Sequence, residues 1–163
     1  MPETNDSIID TIQKVHSLFK ERRLTLSVAE SCTGGLICHH ITSLPGASAF
    51  FEAGIVTYSV FSKKNILGIS PEAIQMYGVI SEETAMEMAR QARAITKTDY
   101  SVSSTGNLGP DTLECKEKGL VYIAVSSENK TLAKELRLTG DREDNKKKAS
   151  FLALELLIAS IEQ

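Results

Sequence analysis

Short runs of β-forming residues alternate along this chain with segments of helical periodicity, and that alternation restricts it to folds in which a sheet is covered by helices on both faces. Residues 7–23 place Ile8, Ile12, Val15, Leu18 and Phe19 on one helical stripe, with Asp6 as the candidate cap. Residues 24–29 then predict a short buried strand, and Gly34-Gly35 opens a helix that Pro45-Gly46 stops. A second strand is expected over 53–60, where Ile55, Val56, Thr57 and Tyr58 favour extended backbone, followed by a short helix over 63–67 that ends at Gly68. Ser70-Pro71 is a helix start with a capping residue and proline at the first helical position, and Gly78 ends it. Ser81 caps a longer helix running to about Thr98, with Ala85, Met88, Ala89 and Ala92 on one face.

Residues 100–104 predict a third strand, and residues 105–119 a loop, because the glycines and Pro110 break regular structure. Residues 120–126 and 132–138 read as a hairpin joined through Glu128-Asn129-Lys130, and a last helix over 142–161 is capped by Asp141, with Ala149, Leu152, Leu156 and Ile161 among its apolar positions. The expected architecture is an α/β three-layer α/β/α sandwich with a mixed, mostly parallel sheet and a C-terminal hairpin. At 163 residues the chain suits one domain, 1–163.

A formal net charge of -3 sets up no field for a nucleic-acid backbone, and the one basic run, Lys146-Lys147-Lys148, reads as a solvated helix face. Nucleic acid is therefore not an expected partner. Cys32, Cys38 and Cys115 form no CxxC pair and His39 and His40 are adjacent, so no metal site is expected, and the odd cysteine count fits a reducing compartment. The polar start Met1-Pro2-Glu3-Thr4-Asn5-Asp6 lacks the regions of a secretion signal, and the longest apolar run, 151–161, is too short for a bilayer. These features predict a cytoplasmic protein without membrane contact.

In open α/β sheets ligands bind beyond the carboxyl ends of the strands, which directs attention to the turns after them. In Ala29-Glu30-Ser31-Cys32-Thr33-Gly34-Gly35 a serine precedes a glycine-opened helix, whose backbone amides and dipole suit an oxyanion or a phosphate; equally, Ser31 or Thr33 can simply cap that helix. GxxxxGK[ST] has no match and Ala29 occupies the first glycine of GxSxG, so a P-loop and a standard nucleophile elbow are excluded, and the absence of GxGxxG removes the strongest sequence reason to propose a dinucleotide cofactor. His39 and His40 lie roughly 12 Å along the helix leaving Ser31, so a Ser-His-Asp triad is not expected. Lys63 and Tyr58 remain as proton-handling groups. The lysine qualifies as a base only where burial or a neighbouring cation lowers its pKa from about 10.4 towards roughly 7 or 8; the alternative is an ordinary surface lysine. Thr105-Gly106 and Gly109-Pro110-Asp111 offer loop amides to a ligand, and Gly140-Asp141-Arg142 sets a fixed positive charge at a capped helix start, a phosphate or carboxylate site or merely a cap with a surface arginine.

In order and spacing, the AESCTGG segment at 29–35, Pro45-Gly46-Ala47-Ser48, Val56-Thr57-Tyr58-Ser59 with Lys63, Leu67-Gly68, Ser81-Glu82-Glu83, Thr105-Gly106, Gly109-Pro110-Asp111 and Gly140-Asp141-Arg142 resemble the CinA C-terminal domain family, over nearly the whole chain. That family includes stand-alone nicotinamide-nucleotide amidases. The resemblance implies metal- and cofactor-independent hydrolysis of nicotinamide mononucleotide to nicotinic acid mononucleotide and ammonia, in pyridine-nucleotide salvage, by a homo-oligomer. It implies Ser31 as nucleophile, Lys63 and Tyr58 as the proton-handling pair, and a substrate surrounded by Glu30, Cys32, Thr33, Gly34, Gly35, Thr105, Gly106 and Arg142, with the oxyanion held by backbone donors around Thr33, Gly34 and Gly35.

Several positions depart from the family pattern. Val60 stands in place of an asparagine, Asn107-Leu108 of Ile-Ala, Thr112-Leu113 of a glycine pair, and Lys146 and Lys147 of arginines. Branched residues where glycines held positive φ would reshape the loop, and lysine would grip a phosphate as a point charge. The alternative expectation is thus a catalytically weak or inactive ligand-binding or interaction module with an altered pocket. A role as partner for DNA uptake finds no basic patch.

Overall fold

In the computed structural model, which describes residues 5–163, the chain runs α1 (Asn5–Arg22), β1 (Leu26–Glu30), α2 (Leu36–Thr42), a 3-10 turn (Ala47–Ala49), β2 (Phe51–Val56), α3 (Val60–Asn65), α4 (Pro71–Tyr77), α5 (Glu82–Thr96), β3 (Tyr100–Gly106), β4 (Leu120–Ser126), β5 (Thr131–Arg137) and α6 (Arg142–Glu162). Most of the polar segment weighed as a possible secretion signal, residues 1–4, lies outside the described residues. The strands form one open sheet in the order β2-β1-β3-β4-β5, parallel from β2 through β1 to β3 and antiparallel from β3 to β5. Helices α1, α2 and α6 cover one face, and α5, with α3 and α4 beside it, covers the other. The expected sandwich and hairpin are both present.

Alternation along β1 separates the two layers. Leu26 and Val28 belong to the large core shared with α1 and α6, whereas Ala29 packs with Leu67, Ile69, Met88 and Ala92. With a side-chain period of two, Glu30 falls on the α2 face and Ser31 on the α3–α5 face. On that second face α5 lies close to the sheet because both surfaces are small. Ala85 and Ala89 approach β3, where Ser103 donates a 2.6 Å hydrogen bond to the Ala85 carbonyl and Ser101 donates to that of Ala89.

Several boundaries differ from expectation, among them the short helix α3, which begins at Val60 under its Ser59 cap and ends at Asn65 instead of spanning 63–67, and β2, which begins at Phe51 instead of 53. Helix α1 already includes Asn5, so Asp6 sits in its first turn, favourable to the helix dipole, and is not its cap. β2 stops at Val56, which places Tyr58 in the turn before α3 rather than in a strand. On α6 the expected apolar positions serve the core, Ala149 and Ile161 buried within it and Leu152 and Leu156 packed against it. Finally, Thr105 and Gly106 are strand residues, not loop: Gly106 pairs with Val121, and an added Cβ would lie 2.5 Å from the Leu120 carbonyl oxygen and 2.6 Å from Val121 Cα. There the glycine admits the neighbouring backbone instead of ending the strand.

Loop 107–119 is folded inward from its start. Asn107 is buried and its amide holds the Leu113 and Lys116 carbonyls at 3.1 and 3.2 Å, while accepting from the Leu113 amide at 3.0 Å. Leu108 joins the main core. Thr112 and Leu113 are exposed with ordinary φ, and the left-handed residues of the loop are Gly109, Glu114, Cys115 and Gly119. The branched pair therefore occupies positions that do not require glycine. The Glu114 carboxylate accepts from the Val79 and Ile80 amides at 2.6 and 3.3 Å, docking the loop on the α4–α5 junction.

Candidate active site

Ser31 directly follows β1, and its amide donates to the Ser104 carbonyl at 3.0 Å, which fixes the turn against β3. Across the same face, α3 begins with a reciprocal capping box between Ser59 and Ser62, and this orients its first turn so that Lys63 points inward. Lys63 is 2% exposed. Its Nζ donates to Ser31 Oγ at 2.8 Å and to the Thr57 carbonyl at 2.9 Å. Burial pushes the lysine pKa down from 10.5 to about 8, against the opposing pull of Cys32 and of the Glu114 carboxylate. Burial also pushes the Cys32 thiol up to about 12, so it is a neutral thiol beside the pair. A serine hydroxyl bonded to a buried lysine whose pKa is pushed towards neutrality is an arrangement in which the lysine can accept the hydroxyl proton. The surface-lysine alternative fails for Lys63 because the side chain is buried.

Glu30 faces the other way. Its Oε2 accepts from Thr33 Oγ1 at 2.5 Å, Gly35 N at 3.0 Å and Ile37 N at 3.1 Å, and its Oε1 from Cys38 N at 2.9 Å. Gly35, the cap position of α2, has no side chain to offer, and the buried carboxylate satisfies the helix start in its place. Both oxygens of Glu30 are thus committed within the protein, and neither Ser31 nor Thr33 caps α2. Thr33 is fully buried, and its hydroxyl also lies 2.6 Å from Ser104 Oγ.

Of the amides expected to serve as oxyanion donors, around Thr33, Gly34 and Gly35, two are engaged within the protein. Gly34 N donates to the Ser31 carbonyl at 3.1 Å and Gly35 N to Glu30, which leaves them engaged. The Cys32 and Thr33 amides, next after the serine, donate to no other residue among the described residues. Thr105 is 1% exposed and its hydroxyl donates to the Val79 carbonyl at 2.6 Å, so it ties β3 to the α4–α5 junction rather than presenting a hydroxyl to a ligand.

Tyr58 is separated from the dyad. It is 59% exposed, and its hydroxyl accepts a 2.8 Å hydrogen bond from Arg142 Nη2, while Arg142 Nη1 donates to the Gly109 carbonyl at 2.8 Å. Arg142 therefore clasps the turn before α3 to loop 107–119 at the start of α6. Beside that clasp lies a cavity of about 750 Å³ lined by Leu36, Pro110, Lys118, Asp141, Arg142, Glu143, Lys146 and Lys147. Lys147 pairs with Glu143 at 2.8 Å. Lys146 reaches back over the serine turn, its Nζ 3.6 Å from where a Cβ on Gly34 would stand. Lys118 and Ser104 carried no sequence signal of their own and Thr57 only that of a strand and motif position, since each reaches the site from a different element. None of the histidines bonds to Ser31: His16 Nε2 contacts the Ile41 carbonyl at 2.8 Å, and His39 and His40 lie on α2. Among the described residues no group of three or more His, Cys, Asp or Glu side chains is arranged to hold a metal, and no helix is long and apolar enough to cross a membrane.

Comparison with known proteins matches residues 9–161 to the CinA C-terminal domain. A CinA-like protein of Geotalea uraniireducens is 44% identical over 151 residues, which cover 91% of this chain and 35% of that protein. The chain spans 30% to 36% of the length of the curated relatives it matches. Among solved structures, a competence/damage inducible protein CihA from Agrobacterium tumefaciens superposes with a TM-score of 0.93 at 33% identity, covering 100% of both chains. A competence-damaged protein (CinA) superfamily protein from Enterobacter cloacae superposes at 0.91 and 31% identity, covering 94% of this chain and 92% of that one.

Proposed function

Because the chain belongs to the CinA C-terminal domain family, we propose that it is an amidase that hydrolyses the carboxamide of nicotinamide mononucleotide to give nicotinic acid mononucleotide and ammonia. The observation that carries this reading is the 2.8 Å contact between buried Lys63 and Ser31 Oγ. With the lysine pKa near 8, about a tenth of it is neutral at pH 7 and able to accept the serine proton. Ser31 Oγ bonds to the carboxamide carbon as its proton passes to Nζ. The carbonyl oxygen becomes an oxyanion held by the Cys32 and Thr33 amides. The lysine then returns the proton to the departing nitrogen, the C–N bond breaks, and ammonia leaves an acyl-serine. Water attacks that ester with Lys63 again taking a proton, and Ser31 leaves with the proton restored.

The substrate's phosphate is assigned to the cavity where Lys146 and Lys118 contribute side chains beside the start of α6. Arg142 lines that cavity and is held by its contacts to Tyr58 and Gly109, so Tyr58 acts by positioning Arg142 and not as the direct partner of Lys63. A lysine in the cavity holds the anion as a point charge. In this reading residues 1–163 work as one domain, in the cytoplasm, as a homo-oligomer, on a small nucleotide and without a metal or cofactor.

The test is release of ammonia and nicotinic acid mononucleotide from nicotinamide mononucleotide by the wild type, Ser31→Ala and Lys63→Met proteins, each with and without a chelator. Wild-type turnover that is indifferent to the chelator and falls by about 10³-fold or more in both variants is the expected result. Absence of turnover by folded wild type, or turnover that survives in Ser31→Ala, overturns the reading.

A further inference from the structure

The residue that supplies the carbonyl beneath Lys63 also carries an unused hydroxyl. Thr57 is fully buried, yet its Oγ1 has no hydrogen-bond partner, a costly condition that native interiors rarely leave without reason. Its backbone is pinned at both ends: the amide donates to the Glu30 carbonyl at 2.9 Å, and the carbonyl accepts from Lys63 Nζ at 2.9 Å. The alternation of β2 continues through this residue. Beyond the irregularity that leaves Phe51 on the other core, Ala53 and Ile55 pair with Ser27 and Ala29 of β1, and Ile55 packs against the cluster containing Ala29 and Leu67. The next position in that series, Thr57, shares its face with Ser31 and Lys63.

Lys63 has a complementary deficit. An ammonium carries three N–H donors, and the structure accounts for two, at Ser31 Oγ and at the Thr57 carbonyl. Both acceptors are neutral. The titratable groups that face the lysine from neighbouring elements are Cys32, whose thiol burial keeps protonated, and Glu114, whose carboxylate is shared with the Val79 and Ile80 amides and with Lys116. A third local acceptor is what the ammonium lacks at the moment it takes the serine proton.

We propose that the Thr57 hydroxyl is that third acceptor, engaged by a rotation about one side-chain bond when Ser31 gives its proton to Lys63, and that Thr57 is a positioning residue of the dyad. The unpaired hydroxyl is then a cost of the neutral-lysine form that becomes a hydrogen bond to a charge whenever Nζ gains a proton, whether from solvent or from Ser31, and relative to the reactive neutral form that interaction favours the transition state. The inference rests on the Ser31–Lys63 amidase reading for its role but not on the identity of the substrate.

The experiment compares wild type, Thr57→Val and Thr57→Ser. It uses the pH profile of kcat/KM for nicotinamide mononucleotide, the pH dependence of Ser31 acylation by p-nitrophenyl acetate followed by mass, and the melting temperature. Thr57→Val should lower the high-pH plateau about tenfold and move the acid limb down by about one pH unit, because the ammonium has lost an acceptor. Its melting temperature should equal or exceed that of wild type, and Thr57→Ser should keep the wild-type profile. An unchanged plateau and acid limb in Thr57→Val overturn the proposal. So does a rate loss in Thr57→Val accompanied by a lower melting temperature and not rescued by Thr57→Ser. If nicotinamide mononucleotide is not turned over at all while Ser31 acylation shows the Thr57 effect, the substrate assignment fails and the role of Thr57 stands.

Discussion

Replacing Glu30 by glutamine should destabilise the fold substantially while leaving the reacting groups in place. The carboxylate accepts one hydroxyl and three backbone amides at 2.5 to 3.1 Å, and those amides open the seven-residue helix α2. Glutamine presents one oxygen and one NH2, so at least one donor at this helix start meets another donor. Hydrogen bonds to a charged group contribute roughly 1.5–3 kcal/mol each, and a charge at a partly buried helix end up to about 2 kcal/mol; these terms overlap, giving a net loss of about 3–5 kcal/mol. For a chain of this length each kcal/mol moves the melting temperature by roughly 2–4 °C, so Glu30→Gln should melt about 6–20 °C below wild type. Thermal and urea unfolding followed by far-ultraviolet circular dichroism measures this, with an unchanged urea slope showing that the loss is in stability. A melting temperature within about 1 °C of wild type would falsify the capping argument. Such a result together with a raised KM would instead place Glu30 against the substrate.

Three further outcomes follow from the geometry. Gly106→Ala should cost about 3 kcal/mol or more in urea unfolding, because the new methyl meets the backbone of β4, which cannot swing aside as a flexible side chain can. Lys63 releases its proton near pH 8 in the native state but near 10.4 when unfolded, so between those values the unfolded chain holds more protons and native stability rises with pH; below about pH 8 that gain, about 3 kcal/mol in all, is absent, and Lys63→Met should remove this part of the slope in unfolding curves collected from pH 7.5 to 10.5. Arg142→Ala should free the Tyr58 turn from loop 107–119, raising KM for nicotinamide mononucleotide about 3- to 10-fold and accelerating amide hydrogen exchange in residues 107–119, with little change in melting temperature since Arg142 is exposed.

The features that the sequence by itself determined are those whose cause lies within a few residues. Ser70-Pro71, Ser81 and Asp141 announce helix starts because each side chain bonds an amide three positions on, and the structure has those bonds at 2.9, 3.1 and 2.9 Å. The antiparallel hairpin of β4 and β5 is legible for the same reason, as two β-rich runs flank a short polar connection. The turn at Ser31 stands out because a serine and two glycines follow a strand-like run. Tertiary structure alone decided what those residues do. Lys63 is separated from Ser31 by 32 positions, and its burial depends on where α3 lands; the fall in its pKa comes from lost solvation, a property of the assembled layers. Glu30 and Ser31 are neighbours in sequence but belong to opposite faces of the sheet, so one carboxylate closes a helix start while the adjacent hydroxyl meets the lysine. Gly106 looks like a breaker in one dimension and is the point of closest approach between two strands in three. Periodicity and local hydrogen bonding are written along the chain, whereas desolvation and close packing exist only between segments that the fold has brought together.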